Sequence, residues 1–492
     1  MARKLKQVVI EGGLDRRDTG YYSTPPEVAD YIYSRLRNLN ANGKSVIDPC
    51  VGKEELLKPF IENDIPAAGI DIIEHKTEYT CSFLCRDFMK IYDDFKRDDI
   101  FNHNNYELSS YDYWIANPPY NCHEIDYIKS NKTELKKLFS DVGVHNMYSM
   151  FISAIIDLAK DGALIGLITL DSFLTSKAHK ELRLKILKNC KIHEILLCPT
   201  ELFQSQNADV RTCIVILEKT TPQNNHVLLL NRPTNTEDFY KLLSNRDFEA
   251  KLLSDITLTS DNDNSEILIG VPDDIKALFL KNRIGEVFRC VTGISTGNDK
   301  KYLRKDRQKG YTVPFYKNPG SRKFFCKEDG YLIDHFLEEN EKVKNFMVRN
   351  TSLIFKPGIT CSSMGVEFSA CYLPENVTFG VNPNIICPEN DIWWLLAYLN
   401  SNLVKYIVRG ILIRTNMVTS GYVARIPVIN FQEEEKKVLT VLAKDLYDAA
   451  RQGKIDEKKL ESVNKIVYQS AKISKRSSEM VLEFCNNIVK KA

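Results

Sequence analysis

Short apolar runs that stop at an acid or an amide alternate with helix-spaced segments over the first 220 residues. Residues 45–47 end at Asp48-Pro49-Cys50-Val51-Gly52, and residues 53–61 then read as helical. Residues 67–70 form a second buried run closed by Asp71, and residues 73–86 lead to Asp87-Phe88. Tyr113-Trp114-Ile115-Ala116 runs directly into Asn117-Pro118-Pro119-Tyr120. Residues 147–160 carry apolar side chains at helical spacing, and 163–170, 192–198 and 212–217 are three further apolar strands. Strands separated by helical segments predict an α/β fold with a doubly wound sheet. Ligands of such sheets bind beyond the carboxyl ends of the strands, and most of the polar residues just named fall there.

After residue 220 the periodicity weakens and Asn, Asp, Thr and Ser cluster. Residues 223–285 therefore read as a connecting region, with 255–265 as an exposed linker. Residues 1–222 form one expected domain and 286–430 a second, of mixed α/β character. Residues 431–492 are helical and charged, with Val438, Leu439, Leu442, Leu446 and Ala449 on one face. There is no repeat or low-complexity tract.

Composition narrows the class. The 492 residues are 43% hydrophobic and 27% charged, as in soluble globular proteins. A net charge of +2 carries no general attraction to nucleic acid. Against that neutral background, residues 281–330 hold 13 Lys and Arg against 5 Asp and Glu, interleaved with Tyr302, Tyr311 and Tyr316. Such a concentration is the footprint of phosphate contacts. Thirteen cysteines are scattered without CxxC or His-x3-His spacing, so no metal is expected. Residues 1–10 do not form an export signal, and no apolar stretch spans a bilayer. The expected location is cytoplasmic, with reduced thiols and no membrane.

Proline lacks an N–H and fixes φ at about −65°, so the strand ending at Ala116 must leave as a stiff extended corner. That corner offers unpaired carbonyls, the Asn117 amide and the Tyr120 ring. It can accept both hydrogens of a flat –NH2 group while the ring stacks on its plane. The other strand ends suit S-adenosylmethionine better than a dinucleotide, because no G-x-G-x-x-G follows the first strand. Asp48 is placed for the cofactor's ammonium and Asp71 for its ribose hydroxyls. Asp87 is placed for the adenine amino group, with Phe88 or Ile72 against the ring. Each acid also has a plain reading, as a helix cap or turn residue.

These motifs resemble those of the γ-type N6-adenine DNA methyltransferases of restriction–modification systems. Gly20-Tyr21-Tyr22-Ser23-Thr24-Pro25-Pro26-Glu27-Val28-Ala29 is similar to that family's N-terminal cofactor motif. Asp48-Pro49-Cys50-Val51-Gly52, Gly69-Ile70-Asp71, Asp87-Phe88 and Asn117-Pro118-Pro119-Tyr120 follow in the family's order. Thr292-Gly293-Ile294-Ser295-Thr296-Gly297-Asn298-Asp299 resembles the opening of its target-recognition domain, and Asn400-Ser401-Asn402-Leu403 and Arg425-Ile426-Pro427-Val428 its later landmarks. The resemblance implies a Rossmann-like S-adenosylmethionine-dependent methyltransferase domain and a target-recognition domain with a helical tail. It implies cofactor contacts from Tyr21, Ser23, Thr24, Pro25, Asp48, Pro49, Cys50, Gly52, Asp71, Ile72, Asp87, Phe88 and Asn117. Catalysis would rest on Asn117, Pro118, Pro119 and Tyr120, with Phe203 as a second ring against the target base. Direct transfer needs no covalent intermediate, so Cys122 is not required. One departure is Glu54, where the family often has a small residue; a larger side chain there would crowd the methionine moiety.

The implied substrate is adenine in double-stranded DNA, reached by base flipping, in restriction–modification or related host defence. Ser295, Thr296, Asn298, Lys300, Lys301 and Arg304 would meet the backbone. Arg322, Lys323, Arg409, Arg414, Asn416 and Arg425 are candidates for base edges or backbone. A restriction endonuclease or a specificity subunit is an expected partner; a nuclease within the chain is not expected. Two other readings stay open. Protein-glutamine and some RNA methyltransferases share Asn-Pro-Pro-Tyr, because a side-chain amide or an RNA adenine presents the same –NH2. The third is a DNA-binding specificity protein with weak turnover.

Overall fold

The computed structural model describes residues 21–97, 108–120, 126–206, 210–222, 224–259, 263–365, 367–413 and 417–487. The chain divides into two compact units, Met1–Gly270 and Val271–Ala492.

Among the described residues the first unit is built on nine strands: β1 (Val46–Asp48), β2 (Ala67–Asp71), β3 (Ser82–Cys85), β4 (Tyr113–Ala116), β5 (Leu164–Leu170), β6 (Cys190–Leu197), β7 (Thr212–Lys219), β8 (His226–Leu230) and β9 (Glu249–Leu252). Their order across the sheet is β3-β2-β1-β4-β5-β7-β6-β8-β9. The strands from β3 to β5 pair in parallel, whereas β7 runs antiparallel to both β5 and β6. The order reverses between β1 and β4, and a crevice at such a switch point is where ligands bind. Its longer helices, among the described residues, are α1 (Pro26–Leu39), α2 (Phe88–Lys96), α3 (Met147–Leu158), α4 (Lys180–Asn189) and α5 (Thr236–Asn245). Strand β4 is buried throughout, which explains its unbroken apolar run.

Three expectations need correction. Residues 53–61 are helical only over Lys58–Ile61, because Glu54 takes a left-handed backbone (φ 70°) and the chain turns first. The 223–285 stretch is not merely a connection: it contains β8, α5 and β9, which add two strands to the sheet. Strand β9 (Glu-Ala-Lys-Leu) has no fully buried position and so no strand-like alternation to read. The stretch from 255 to 265 is not a loose linker where it is described. Leu258 N–H donates to the Glu266 carbonyl at 2.9 Å, and the Arg183 guanidinium donates to the Asn264 carbonyl at 2.7 Å.

The second unit has two four-stranded sheets, ordered β10-β19-β16-β17 and β12-β14-β13-β18, and a two-stranded β11-β15 pair. These strands are β10 (Arg289–Val291), β11 (Ile294–Ser295), β12 (Leu303–Arg304), β13 (Val313–Tyr316), β14 (Gly330–Leu332), β15 (Met347–Val348), β16 (Gly358–Cys361), β17 (Ala370–Leu373), β18 (Thr378–Phe379) and β19 (Asn384–Ile386). The helical tail is α6 (Glu433–Arg451), α7 (Glu457–Ala471) and α8 (Lys475–Asn486). Leu439, Ala443 and Leu446 are the buried stripe of α6. Among the described residues no helix is long and apolar enough to cross a membrane.

Candidate active site

The corner after β4 is held by its own side chains. Asn117 Nδ2 donates to the Tyr22 carbonyl at 2.7 Å and to Thr24 Oγ1 at 3.0 Å. The Tyr120 hydroxyl donates to Asn117 Oδ1 at 2.6 Å. The Tyr120 ring stacks on Tyr22, centroids 5.1 Å apart at 23°, and meets Phe203 edge-on at 6.4 Å. Tyr120 is 6% exposed and Phe203 fully buried, so both rings expected against a target base face the interior here. Burial pushes the Tyr120 phenol well above its usual range, which keeps it a neutral donor.

The N-terminal motif is stitched to two loops. Ser23 Oγ donates to Glu55 Oε1 at 2.8 Å, and Tyr21 OH also donates to Glu55. Gln206 closes a two-way pair with the Ser23 main chain, accepting from its N–H at 2.9 Å and donating to its carbonyl at 2.7 Å. Tyr22, Glu55 and Gln206 were not singled out in the sequence. Tyr22 stood inside the quoted motif, whereas Glu55 and Gln206 carry no local signal.

Two of the acids at the strand ends, Asp48 and Asp71, lie near one another. Asp48 is buried at the end of β1, and Cys50 N–H donates to its Oδ1 at 3.0 Å. Burial pushes its carboxyl up to about 8, with Asp71 and Glu55 adding to the rise. Asp71 accepts from Gly52 N–H at 3.0 Å and Ile73 N–H at 3.2 Å. A carboxylate has about four lone-pair sites, so Asp71 keeps capacity for ribose hydroxyls. Gly52 has φ +54°, and a Cβ there would lie 2.4 Å from the Tyr21 ring. Asp87 caps α2 by accepting from Met89 N–H at 2.9 Å and also takes the Tyr127 hydroxyl at 2.8 Å. Phe88 is turned into the core against Phe151, whereas Ile72 is 55% exposed; Ile72, not Phe88, is the apolar surface left open. Pro49 is buried and Cys50 half-buried, with burial and Asp48 raising the Cys50 thiol far above its usual range.

Glu54 does not fit the expected crowding. Its Oε1 accepts from Thr80 N–H at 2.8 Å and Cys81 N–H at 2.7 Å, and Lys76 pairs with it. The carboxylate is therefore committed to the segment leading into β3.

The sequence pattern of the N-6 DNA Methylase family matches residues 14–265, just over half of the chain. The chain belongs to this family. It is 26% identical over 226 residues to the type II restriction enzyme and methyltransferase RM.Eco57I of Escherichia coli, covering 44% of this chain and 22% of that protein. It is 24% identical over 251 residues to the type I restriction enzyme MjaIX methylase subunit of Methanocaldococcus jannaschii, covering 48% of this chain and 43% of that protein. The matched part thus spans less than half the length of either relative. The fold is similar to that of the type IIL restriction-modification enzyme MmeI in complex with DNA, with TM-score 0.62, 11% identity, and coverage of 97% of this chain and 79% of that one. The DrdV–DNA complex is also similar, with TM-score 0.54, 12% identity, and coverage of 88% and 57%.

S-adenosylmethionine is the cofactor that this N-6 DNA methylase membership brings, and the residues present suit it. Three neighbouring acids, one of them raised by burial and by the other two, favour a cationic ligand over an anionic one. Gly52, with no Cβ, lets the Tyr21 ring of the N-terminal motif pack directly on the turn after β1. Asp71 and exposed Ile72 supply a polar and an apolar contact on adjacent residues.

In the second unit the expected nucleic-acid residues divide. Lys300 and Arg322 are exposed, as are Lys305, Arg307 and Lys309, whereas Lys301, also exposed, donates to the Tyr302 hydroxyl at 2.8 Å. Others are engaged within the unit. Thr296 is buried and donates to Asp299, and Asn298 Oδ1 caps a short helix by accepting from Lys301 N–H at 3.2 Å. Arg304 donates to the carbonyls of Lys300 and Leu303, both at 2.9 Å, and lies over the Tyr311 ring. Lys323 lies 3.8 Å from Glu367, and buried Arg409 donates to the Gly365 carbonyl. A Cβ on Gly293 would lie 2.1 Å from the Phe379 carbonyl, so that glycine serves close packing of main chains. Ser295 pairs with Met347 in the β11-β15 ladder. Arg414 and Asn416 lie outside the described residues, as do Gly20 and Cys122.

Proposed function

We propose that this chain methylates the N6 amino group of adenine at specific sites in duplex DNA, as the modification activity of a restriction–modification or related host-defence system. One observation carries the reading: Asn117, at the end of the strand beside the switch point, is tied through Nδ2 to the N-terminal motif while its Oδ1 contacts a hydroxyl that a substrate can replace. S-adenosylmethionine, when bound, supplies an electrophilic methyl group on a positively charged sulfur. The residues do the positioning. Asn117 Oδ1 and the Pro118 carbonyl accept the two amino hydrogens, aim the nitrogen lone pair at the methyl group and offset the positive charge that develops. Tyr120 and Phe203 hold the base, which must leave the duplex at a cost of roughly a few kcal/mol. Asp48 faces the cofactor's ammonium and Asp71 its ribose, with Ile72 and Asp87 at the adenine. Exposed Lys300, Lys301 and Arg322 contact DNA, in the cytoplasm, with a restriction endonuclease or specificity subunit as partner. Support for the DNA substrate comes from family membership and from the concentration of exposed cations after residue 299.

The test is transfer of tritiated methyl groups to unmethylated duplex DNA, with RNA and a glutamine-bearing protein as competing acceptors. Asn117→Ala should lower kcat about 100- to 1000-fold, the usual loss for one positioned polar group, at unchanged circular dichroism. Labelling of RNA or protein instead of DNA would overturn the substrate, and full activity in Asn117→Ala would overturn the site.

A further inference from the structure

We propose that the Tyr22 ring is a placeholder for the target base, covering Tyr120 in the resting enzyme and setting how readily the base enters. The inference rests on the proposed base-binding role of Tyr120. The ring face and the side-chain acceptor that such a base needs at this corner are already taken from within. The Tyr120 face is covered by Tyr22 at 5.1 Å and 23°, the geometry of an offset stack between flat rings. Asn117 Oδ1, the acceptor for an amino hydrogen, holds the Tyr120 hydroxyl at 2.6 Å. With Tyr120 only 6% exposed, no purine reaches its ring until something moves.

Of the three rings, Tyr22 is the one that is not buried. Phe203 is fully buried and meets Tyr22 and Tyr120 edge-on, at 5.8 Å and 6.4 Å, as a back wall would. Tyr22 is half-buried and packs on the core that holds Phe203. Its link to Asn117 runs through its main-chain carbonyl. Rotation about its side-chain torsions therefore uncovers Tyr120 without loosening Asn117. The incoming base then takes the place of one aromatic ring by another, and its amino group displaces the Tyr120 hydroxyl from Oδ1. Tyr22 acts here as a positioning residue, not as a catalytic one.

The test compares the full-length wild type with Tyr22→Ala, Tyr22→Leu and Tyr22→Phe. Leu keeps bulk without a stack, should Ala fail to fold. Nitration by tetranitromethane, mapped by mass spectrometry, needs no DNA: Tyr120 stays protected in wild type and Tyr22→Phe, and reacts in Tyr22→Ala and Tyr22→Leu. With whole-genome-amplified DNA as substrate, KM for DNA falls about three- to tenfold in Tyr22→Ala and Tyr22→Leu while kcat does not rise, the range expected when a stack of ordinary strength no longer closes the site. A merely structural role would raise KM or lower kcat alone. Tyr120 still protected in both variants, or KM unchanged or raised, overturns the placeholder. A wild type that labels no DNA overturns the proposed function instead, and nitration still decides whether Tyr22 covers Tyr120.

Discussion

At the scale of one residue, burial of Asp48 ties cofactor affinity to pH. Its carboxyl is pushed up to about 8, first by burial and then by Asp71 and Glu55. A bound ammonium favours the ionised form, so below that pH binding must first expel a proton. Affinity for S-adenosylmethionine is therefore expected to weaken by up to about tenfold per pH unit as pH falls below about 8. Calorimetry at several pH values checks this; Asp48→Asn should bind more weakly and flatten the profile, and a flat wild-type profile would count against the assignment. Stability without cofactor follows the opposite sense. The folded pKa lies above the unfolded value, so stability is present below the unfolded pKa of 3.8 and is lost as pH rises toward about 8. Asp48→Asn should then raise the melting temperature of the cofactor-free protein at about pH 8. Asp48 was legible as an acid closing an apolar run. Its raised carboxyl was not, because that depends first on burial, and then on Asp71 and Glu55, which only the folded chain brings near it.

At the scale of elements, the turn after β1 shows how the backbone redirects a side chain read from its place in a motif. Glu54 read as an intrusion on the cofactor, whereas the left-handed backbone at φ 70° sends its carboxylate to the Thr80 and Cys81 N–H groups. Glu54→Ala leaves two main-chain donors and Lys76 without that partner and should cost about 2–4 kcal/mol in urea unfolding, with Glu54→Gln milder. Affinity for S-adenosylmethionine should not improve. Tighter binding at unchanged stability would restore the crowding explanation. The strands whose apolar runs end in a polar residue were legible, since both sheet faces demand apolar side chains and the ends demand chemistry. Strand β9 was not, because an edge strand needs little apolar alternation, and β8, paired on both sides by β6 and β9, is a short apolar run set among polar residues. Asp87 was legible in both its readings, and it caps α2 as the plainer one has it, whereas the Phe88 ring, expected against the adenine, fills the core.

At the scale of the molecule, a net charge of +2 conceals an uneven distribution. The composition marked residues 281–330 as basic, but only the fold separates exposed cations from those in internal service. Lys300, Lys305, Arg307 and Lys309 lie exposed, whereas Arg304 is bound to carbonyls of its own turn. Each exposed cation that neutralises a phosphate releases counterions, and this release makes DNA affinity fall with salt. Replacing the four exposed residues together by Ala should weaken binding to a non-specific duplex and make the slope of log K against log salt shallower by up to about four. Fluorescence anisotropy across a salt series measures it. The methylation rate at saturating DNA should hold, because these residues lie outside the first unit and its Asn117 corner. Arg304→Ala should behave differently, lowering the melting temperature with little change in slope, since its guanidinium is spent on main-chain carbonyls. If the fourfold variant leaves the slope untouched, this basic segment is a solvated surface and the DNA contacts lie elsewhere in the second unit.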